Sequence, residues 1–363
     1  MTSNAEKVLM AMSGGVDSSV GALVLRDAGY DVTGVTMKLI DNDAIFIEGE
    51  SGCCTLDDVE DARQVCLDLG LEHFVYNFTH SFEENVVNRF CRAYLMGETP
   101  NPCIDCNRYL KFEALQQRRR DLLFDYVATG HYARRSYNEE TGRFELKRAV
   151  DANKDQSYVL FHLTQDTLAH MLFPLGELTK PQVRALAQEH GFSNAGKSES
   201  QDICFVPDGD YATFIRKREG EQPAFQPGPI VDRAGNLLGE HAGLIHYTIG
   251  QRKGIGVAAP EPLYVFAKDV ERNELIVDTA ERARCTSVEV QDVNFISRVR
   301  LEQPEHFTAK THYRQKPIGA TVEQTDEDQI RISFDEPQRA CAAGQAAVVY
   351  DGDVVVCGGT ISG

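Results

Sequence analysis

The sequence predicts an α/β protein in which a doubly wound parallel sheet is followed by a small β-rich domain and an antiparallel β-barrel. Strand and helix patterns alternate over the first 135 of the 363 residues, and short β runs separated by turns recur from about Thr286 onward. Between them, prolines and glycines crowd residues 223–235 and indicate a boundary. We therefore predict three domains, at 1–207, 208–275 and 276–363.

Apolar runs predict four parallel strands, at 8–12, 31–39, 73–77 and 126–130. Amphipathic patterns predict helices at 19–28, 57–69, 82–95, 110–120, 165–171 and 180–190. In the barrel we predict strands at 287–290, 308–313, 320–322, 329–334 and 346–350. Because open α/β sheets bind ligands at the carboxyl ends of their strands, we expect the functional site there.

The composition is that of a globular enzyme, with 42% apolar and 25% charged residues. No run approaches 18 apolar residues, and the first residues lack the pattern of a signal peptide. We therefore expect a cytoplasmic chain without a membrane segment, with ten mostly reduced cysteines. The net charge of −18 argues against non-specific nucleic-acid binding, but it leaves open a structured RNA held by local basic patches.

A glycine-rich loop, SGGVDSS at 13–19, separates the first predicted strand from the first predicted helix. Glycines let the backbone approach a ligand, and the N–H groups at a helix start favour anions. Asp17 would repel a phosphate unless a cation bridges the two, so we infer Mg²⁺ there. The loop lacks the Gly-Lys-Ser/Thr of a Walker A motif and resembles the SGGxDS signature of PP-loop ATP pyrophosphatases. The alternative is an ordinary Gly-Ser turn that caps a helix.

Three cysteines have surroundings that suggest chemistry. Cys103 and Cys106 form a CxxC motif that we place in a loop just ahead of a helix, where thiolates are favoured, and Cys204 lies in a strand-like run at 198–206. One interpretation of the CxxC motif is a structural zinc site, but such a site normally needs four ligands. A second is a thioredoxin-like dithiol, which would not explain the glycine-rich loop. In a third interpretation, sulfur attacks a carbonyl activated by adenylation and a second thiol resolves the resulting sulfur–sulfur bond. We expect most of the remaining cysteines to be small buried hydrophobes: Cys53, Cys54, Cys66, Cys91, Cys285, Cys341 and Cys357.

Eight segments, in the same order, resemble the tRNA-specific 2-thiouridylases over nearly the whole chain. They are SGGVDSS (13–19), SGCCTLDDVEDA (51–62), TPNPCIDCNRYLKF (99–112), ATGHYAR (128–134), KDQSYVL (154–160), SESQDICF (198–205), HYTIGQRKGIG (246–256) and AAGQAAVVY (342–350). The resemblance implies a PP-loop domain, a small central domain and a C-terminal β-barrel. It also implies ATP-dependent 2-thiolation of the wobble uridine of tRNA, in which the C2 oxygen is adenylated and a cysteine persulfide then delivers sulfur.

The resemblance further implies roles for individual residues. Cys106 would be the nucleophile and Cys204 the persulfide carrier, and the two would form a disulfide intermediate. ATP would be held by Ala11, Met12, Ser13, Gly14, Gly15, Val16, Asp17, Ser18, Met37 and Gly130. The tRNA would meet Asn101, Pro102, Cys103, His131, Lys154, Asp155, Gln156, Tyr313, Arg314 and Gln345. The expected partners are the tRNA and a persulfide donor, either a sulfur carrier or a cysteine desulfurase.

The chain departs from the family pattern at Cys103, where many members carry an Asp thought to serve as acid or base. Asp105, next to Cys106, is the candidate substitute. The change also gives a third cysteine, so that Cys103, Cys106 and Cys204 would suffice to ligate a 4Fe–4S cluster with one open iron. Persulfide and cluster mechanisms both remain open at this point. Two alternative functions are a PP-loop synthetase acting on a small molecule and a non-catalytic tRNA-binding protein.

Overall fold

The computed structural model describes residues 5–40, 55–197, 203–339 and 341–362. Its strands are β1 (Lys7–Ala11), β2 (Asp31–Lys38), β3 (Glu72–Asn77), β4 (Tyr126–Ala128), β5 (Ala133–Asn138), β6 (Arg143–Arg148), β7 (Met171–Leu172), β8 (Gly228–Asp232), β9 (Leu237–His241), β10 (Leu263–Asp269), β11 (Glu274–Thr279), β12 (Arg284–Phe295), β13 (Glu305–Lys310), β14 (Ile318–Asp326), β15 (Gln329–Arg339), β16 (Ala346–Asp351) and β17 (Val354–Ile361). Its α-helices are α1 (Val16–Asp27), α2 (Leu56–Leu69), α3 (Thr79–Phe82), α4 (Asn88–Leu95), α5 (Pro102–Asp105), α6 (Leu115–Asp121), α7 (Gln165–Ala169), α8 (Lys180–Glu189) and α9 (Tyr211–Glu219).

The first part of the chain is built on a parallel sheet with the strand order β3-β2-β1-β4-β7. Side chains alternate across this sheet, so the central strand β1 serves two cores. Val8 and Met10 belong to the core that includes residues of α1, α2 and α8. Leu9 belongs to the core that includes residues of α4 and α6. The predicted doubly wound sheet is thus confirmed, with helices on both faces.

The sheet has a fifth strand that the sequence pattern did not predict. The helix expected at 165–171 ends at Ala169, and Met171–Leu172 pairs in parallel with β4 as β7. A strand of two residues is too short to produce an alternating pattern. Helix α1 begins at Val16, three residues earlier than predicted, because Gly15 is extended and serves as its N-cap.

The CxxC motif lies inside a helix and not in the loop that the sequence predicted. Helix α5 continues through a π-helical segment, Cys106–Ala114, into α6, so Cys103 is in the first turn and Cys106 opens the π segment. The side chain of Asn101 caps this helix by accepting a hydrogen bond of 3.2 Å from the N–H of Cys103, and Pro102 occupies the first helical position. Asn followed by Pro is a recognisable helix start.

The C-terminal part is a closed antiparallel barrel. Its sheet runs β12-β15-β14-β13-β16-β17, and pairing of β12 with β17 closes it. The hairpin of β5 and β6, which we did not predict, joins this sheet through β17. The Nδ2 of Asn294 in β12 donates to the carbonyl oxygens of Phe161 (2.6 Å) and Leu163 (3.0 Å). The barrel is therefore attached to the first domain through its neighbouring strands β12 and β17.

A separate four-stranded sheet, β10-β11-β8-β9, forms the small central domain. It has its own core, in which Ile230, Val265, Leu275 and Val277 are fully buried. Strand β11 crosses the predicted boundary at 275/276 and pairs with β8 and β10, so the structure groups this whole strand with the central sheet. Within the described ranges, no helix has the length and apolarity needed to cross a bilayer.

Gly358 tests the contact between the barrel and the first domain. A Cβ at this position would lie 2.8 Å from the Cβ of Phe161, which is fully buried. We expect Gly358→Ala to lower the free energy of unfolding by about 1–3 kcal/mol, because an overpacked interior forces side chains to shift. Denaturant unfolding measures the change. The control is Gly196→Ala, where nothing lies within 4 Å of the added atom; equal stability of the two variants would contradict this interface.

Candidate functional site: a phosphate loop and three cysteines around one cavity

A cavity of about 360 Å³ opens at the carboxyl ends of β1, β2 and β4. Its lining residues are Ala11, Met12, Ser13, Asp17, Ser18, Met37, Leu39, Phe82, Val86, Pro102, Cys103, Cys106, Lys111, Thr129, Gly130, His131, Gln156, Ile203, Cys204 and Phe205. The structure therefore brings together seven predicted ATP residues, all three predicted cysteines, and Pro102, His131 and Gln156 of the predicted tRNA set. The predicted residues outside this lining are Gly14, Gly15, Val16, Asn101, Asp105, Lys154, Asp155, Tyr313, Arg314 and Gln345.

A close backbone contact leaves no room for a side chain at Gly14 of the glycine-rich loop. Gly14 has a φ of +71°, and a Cβ there would lie 2.3 Å from the carbonyl oxygen of Asp58. The Ser18 hydroxyl donates to the carbonyl oxygen of Gly15 at 2.9 Å and accepts from the N–H of Ser13 at 3.1 Å. Such a compact turn at the start of the twelve-residue helix α1 suits an anion, so the loop fits the phosphates of a nucleotide.

Asn194 holds this loop from behind, a role that the sequence pattern did not reveal. Its side chain is 3% exposed, and its Nδ2 donates to the carbonyl oxygen of Gly14 (3.0 Å) and to Oγ of Ser19 (2.9 Å). Because a side-chain amide offers two donors, one residue fixes both the loop and the first turn of the helix.

Asp17 faces a cation of the chain itself. The ammonium of Lys180 lies 2.8 Å from both of its carboxylate oxygens, and the Tyr132 hydroxyl donates to one of them at 2.7 Å. The sequence pattern did not predict this contact, although Thr179 and Pro181 mark the start of α8 at Lys180. Asp17 is the only acidic residue among the described residues of the cavity lining.

A magnesium ion fits this site only together with a nucleotide. The described ranges contain no group of three His, Cys, Asp or Glu side chains that could hold a metal ion. Magnesium commonly binds through one or two carboxylates and the phosphates of its substrate, so a single Asp17 fits that mode. The three cysteines bear on the sulfur chemistry. Cys103, Cys106 and Cys204 line one cavity, an arrangement that the persulfide and the cluster interpretations both require.

Cys204 lies in a turn, so the described part of the predicted strand at 198–206 is not a strand; residues 198–202 lie outside the described ranges. The N–H of Val206 donates to the carbonyl oxygen of Ile203 at 2.9 Å and closes this turn. The neighbouring Phe205 ring packs edge-on against Phe82 and Phe90, at centroid distances of 5.7 and 5.1 Å. This aromatic anchor holds Cys204, which is partly buried, at the cavity.

Lys111 and His131 set the charge of the cavity. His131 is buried and its Nδ1 lies 2.8 Å from the Thr129 hydroxyl. Burial and the positive charge of Lys111 hold the pKa of His131 well below its usual range, so the imidazole is neutral. Lys111, which sequence reasoning missed, donates to Oδ1 of Asn107 at 2.9 Å and brings a positive charge to the wall that carries the thiols.

The remaining predicted residues have different surroundings. Asp105 pairs with Arg89 at 3.5 Å, and burial raises the pKa of its carboxyl group. Asp155 is 6% exposed and accepts hydrogen bonds from Arg148 and from two backbone N–H groups. Tyr313 and Arg314 are exposed beyond the end of β13, and Lys154 is partly buried. The amide of Gln345 donates to the carbonyl oxygen of Thr99, which places Gln345 beside the start of the CxxC helix.

Gly130 tests whether the cavity holds a nucleotide. A Cβ at Gly130 would lie 3.0 Å from the Ser18 nitrogen, in the space beside the start of α1. We expect Gly130→Ala to weaken ATP binding about tenfold or more, about 1.4 kcal/mol, because the added methyl group presses on the backbone at the start of α1. Isothermal titration with ATP measures the effect, with Gly196→Ala as the control. Unchanged ATP affinity would contradict the assignment of this cavity.

Three family models match successive parts of the chain. Residues 6–208 match the family model described as "tRNA methyl transferase HUP domain", residues 213–279 match "tRNA methyl transferase PRC-barrel domain", and residues 285–361 match "Aminomethyltransferase beta-barrel domain". A solved complex of a 4-thiouridine synthetase with RNA and ATP is 16% identical at a TM-score of 0.36, covering 58% of this chain and 50% of the other, a likeness too weak to carry a conclusion.

Full-length relatives are much closer. A tRNA-specific 2-thiouridylase of Desulforamulus reducens is 48% identical over 357 residues, which are 98% of this chain and 97% of the relative. One of Moorella thermoacetica is 49% identical over 353 residues, 97% of this chain and 98% of the relative. With this identity over nearly the full length of both proteins, the chain belongs to the tRNA-specific 2-thiouridylase family.

Proposed function

We propose that this chain is an ATP-dependent sulfurtransferase that replaces the C2 oxygen of the wobble uridine of tRNA with sulfur. One observation carries the proposal: the phosphate loop and Cys106 and Cys204 line the same cavity. Activation and sulfur transfer act on the same carbon, so both sets of groups must reach one base. The names of the full-length relatives support thiolation. The matched domain models are named after methyl transfer, but that reaction would not explain the phosphate loop.

The first step is activation of the base. The N–H groups at the start of α1 bind the phosphates of ATP, and the C2 oxygen of uridine attacks the α-phosphorus. Pyrophosphate leaves, and the oxygen on C2 becomes part of a good leaving group, AMP. Lys180 and Tyr132 hold Asp17 in a fixed orientation through their 2.7–2.8 Å contacts. Bound Mg²⁺ would offset the charge of the phosphate oxygens, with Asp17 as its protein ligand.

The second step transfers sulfur. The terminal sulfur of a Cys204 persulfide attacks C2 and AMP leaves, so a base–S–S–Cys204 linkage forms. The Cys106 thiolate then attacks the Cys204 sulfur, the sulfur–sulfur bond to the base breaks, and its electron pair stays on the base as the thiocarbonyl. Cys106 and Cys204 are left as a disulfide. A thiol reductant supplies two electrons and two protons to restore both thiols.

The persulfide requires a partner. We infer that a sulfur carrier or a cysteine desulfurase transfers its outer sulfur to Cys204, which lies partly buried in a turn beside the cavity. The base must also leave the anticodon stack to reach the cavity. Single-stranded loops allow this at a cost of only a few kcal/mol, because their bases are already partly unstacked. A tRNA substrate is consistent with the cytoplasmic location expected from the sequence.

The tRNA is held locally, because the chain as a whole repels it with a net charge of −18. We propose that Arg314, Tyr313 and Lys154 contact the phosphates and bases of the anticodon arm. Arg314 and Tyr313 are exposed, and Gln345 connects their barrel to the start of the CxxC helix. Asp155 is buried among its hydrogen-bond donors, so we assign it the task of holding the backbone that carries Lys154 and Gln156.

The cysteines provide a direct test of the chemistry. We expect Cys106→Ser and Cys204→Ser each to abolish tRNA thiolation, because each removes a sulfur that the bond changes require. ATP affinity should change little in both, since neither side chain belongs to the phosphate loop. Cys103→Ser is the matched control, because Cys103 lines the same cavity one helical turn from Cys106. This variant should keep substantial activity. Thiolated nucleoside is quantified by mass spectrometry after tRNA digestion.

Two outcomes would contradict this mechanism. Full thiolation by Cys204→Ser in aerobic and anaerobic assays would show that Cys204 is not the persulfide carrier. Loss of activity in Cys103→Ser together with loss of iron from anaerobically purified protein would instead support the three-cysteine cluster.

The local character of tRNA binding has its own test. We expect Arg314→Ala to weaken tRNA binding and to lower the slope of log Kd against log salt by about one, because one phosphate contact is lost. Filter binding between about 50 and 200 mM salt measures the slope. Arg300→Ala is the control, since this exposed arginine of the barrel pairs with Glu302 at 2.6 Å. The same salt slope for Arg314→Ala and the unmodified chain would count against the proposed contact.

A further inference from the structure

Two cysteines outside the cavity lie next to each other in the barrel. The Sγ atoms of Cys285, in β12, and Cys341, just beyond β15, are 3.3 Å apart. Both are partly buried, whereas Cys66, Cys91 and Cys357 are buried. The expectation of small buried hydrophobes thus holds for these three cysteines and not for the barrel pair, while Cys53 and Cys54 lie outside the described residues.

The two cysteines belong to neighbouring segments of the barrel. Strands β12 and β15 are antiparallel neighbours, with Arg284 opposite Arg339 and Cys285 opposite Gln338. Both sulfur atoms also lie within hydrogen-bond reach of the carbonyl oxygen of Arg339, at 3.6 and 3.5 Å. A disulfide needs a sulfur–sulfur bond of about 2.05 Å, so the two sulfur atoms, now 3.3 Å apart, must approach each other by a little more than about 1 Å.

The two thiols are chemically different. The two sulfur atoms are within hydrogen-bonding distance of each other, and this contact lowers the pKa of Cys285 and raises that of Cys341. The thiolate is the nucleophile in thiol–disulfide exchange, so Cys285 is the attacking sulfur and Cys341 the resolving one. Burial raises the pKa of Cys66 to about 11 and those of Cys91 and Cys357 to about 12, which makes these three thiols poor nucleophiles.

We propose that Cys285 and Cys341 form a reversible disulfide by exchange with low-molecular-weight disulfides, at a site separate from the cavity. The Cys285 thiolate attacks a disulfide RSSR, so that a Cys285–S–SR bond forms and RS⁻ leaves. The Cys341 sulfur then attacks Cys285, expels the second RS⁻ and closes the protein disulfide. Two thiols are oxidised, one RSSR is reduced to two RSH, and the two protons pass to the released thiols.

Such a bond would connect β12 to a segment that contacts the loop of Tyr313 and Arg314 and the residue Thr99 before the CxxC helix. Cys341 Sγ lies 3.6 Å from the Thr311 hydroxyl, and Thr311 is hydrogen-bonded to Gln315 across the loop of Tyr313 and Arg314. Two residues beyond Cys341, the carbonyl of Ala343 accepts from the N–H of Thr99 at 3.0 Å. The disulfide would therefore stiffen the barrel where it meets the CxxC helix, and we expect a higher melting temperature for the oxidised protein.

Oxidised glutathione is the probe that tests the site. The full-length reduced chain is incubated with it without oxygen, alkylated, digested without reduction and analysed by mass spectrometry. We expect a linked peptide pair containing Cys285 and Cys341, which dithiothreitol removes, and a melting temperature that rises with the extent of linkage. Cys357→Ser is the control and should form the same linked pair, since its thiol is buried elsewhere in the barrel.

The two single variants separate the roles of the thiols. Cys341→Ser should accumulate a glutathione mixed disulfide on Cys285, because the resolving thiol is gone, whereas Cys285→Ser should react much more slowly at Cys341. Complete recovery of both cysteines as alkylated thiols in the wild-type chain, under conditions that oxidise Cys106 and Cys204, would overturn the proposal. So would a mixed disulfide that persists on Cys285 while Cys341 is intact.

Discussion

Both polar groups of the Thr99 backbone are hydrogen-bonded to the barrel, and this contact determines the geometry of the site. Its N–H donates to the carbonyl of Ala343 at 3.0 Å, and its carbonyl accepts from the amide of Gln345. Two residues later, Asn101 caps the helix whose first turn carries Cys103. The barrel thus holds the beginning of the thiol helix, and the body of that helix packs against the sheet through buried residues such as Leu110 and Leu115. A displaced barrel would move the thiols away from the phosphate loop.

This arrangement explains why a strongly acidic chain can serve an RNA substrate. Two cations are individually placed at the described part of the site: Lys180 pairs with Asp17, and Lys111 lines the cavity together with a neutral His131. The negative charge elsewhere disfavours unspecific adsorption of nucleic acids. The proposed function therefore assigns selectivity to the fit of one base in the cavity together with these individually placed charges.

The sequence predicted most of what depends on local patterns. The glycine-rich loop and the alternating barrel strands are short-range signals, and the four main parallel strands were found where apolar runs placed them. The Asn-Pro start of the CxxC helix is also a local signal, but we did not predict a helix there. What it missed depends on distant contacts. The helix was placed after Cys106 because a π-helical segment from Cys106 to Ala114 disturbs the apolar period.

For the same reason, the sequence pattern did not reveal contacts between residues that are far apart in the chain. Lys180 reaches Asp17 across 163 positions, and Asn194 reaches Gly14 across 180. The β5–β6 hairpin is attached to a strand that lies some 200 residues away, so no local pattern announces it. The contact between Cys285 and Cys341 likewise joins two segments 56 positions apart, which meet only in the folded barrel.

In the proposed reaction, the C2 oxygen of the base leaves as part of AMP. A tRNA anticodon arm with oxygen-18 at C2 of the wobble uridine tests it most directly, with ATP, a persulfide donor and the unmodified enzyme. We predict one oxygen-18 atom in the phosphate of each AMP formed, in a one-to-one ratio with thiolated uridine, and pyrophosphate release that requires the tRNA. AMP free of the label, with the label released into water while thiolation proceeds, would contradict adenylation of the base.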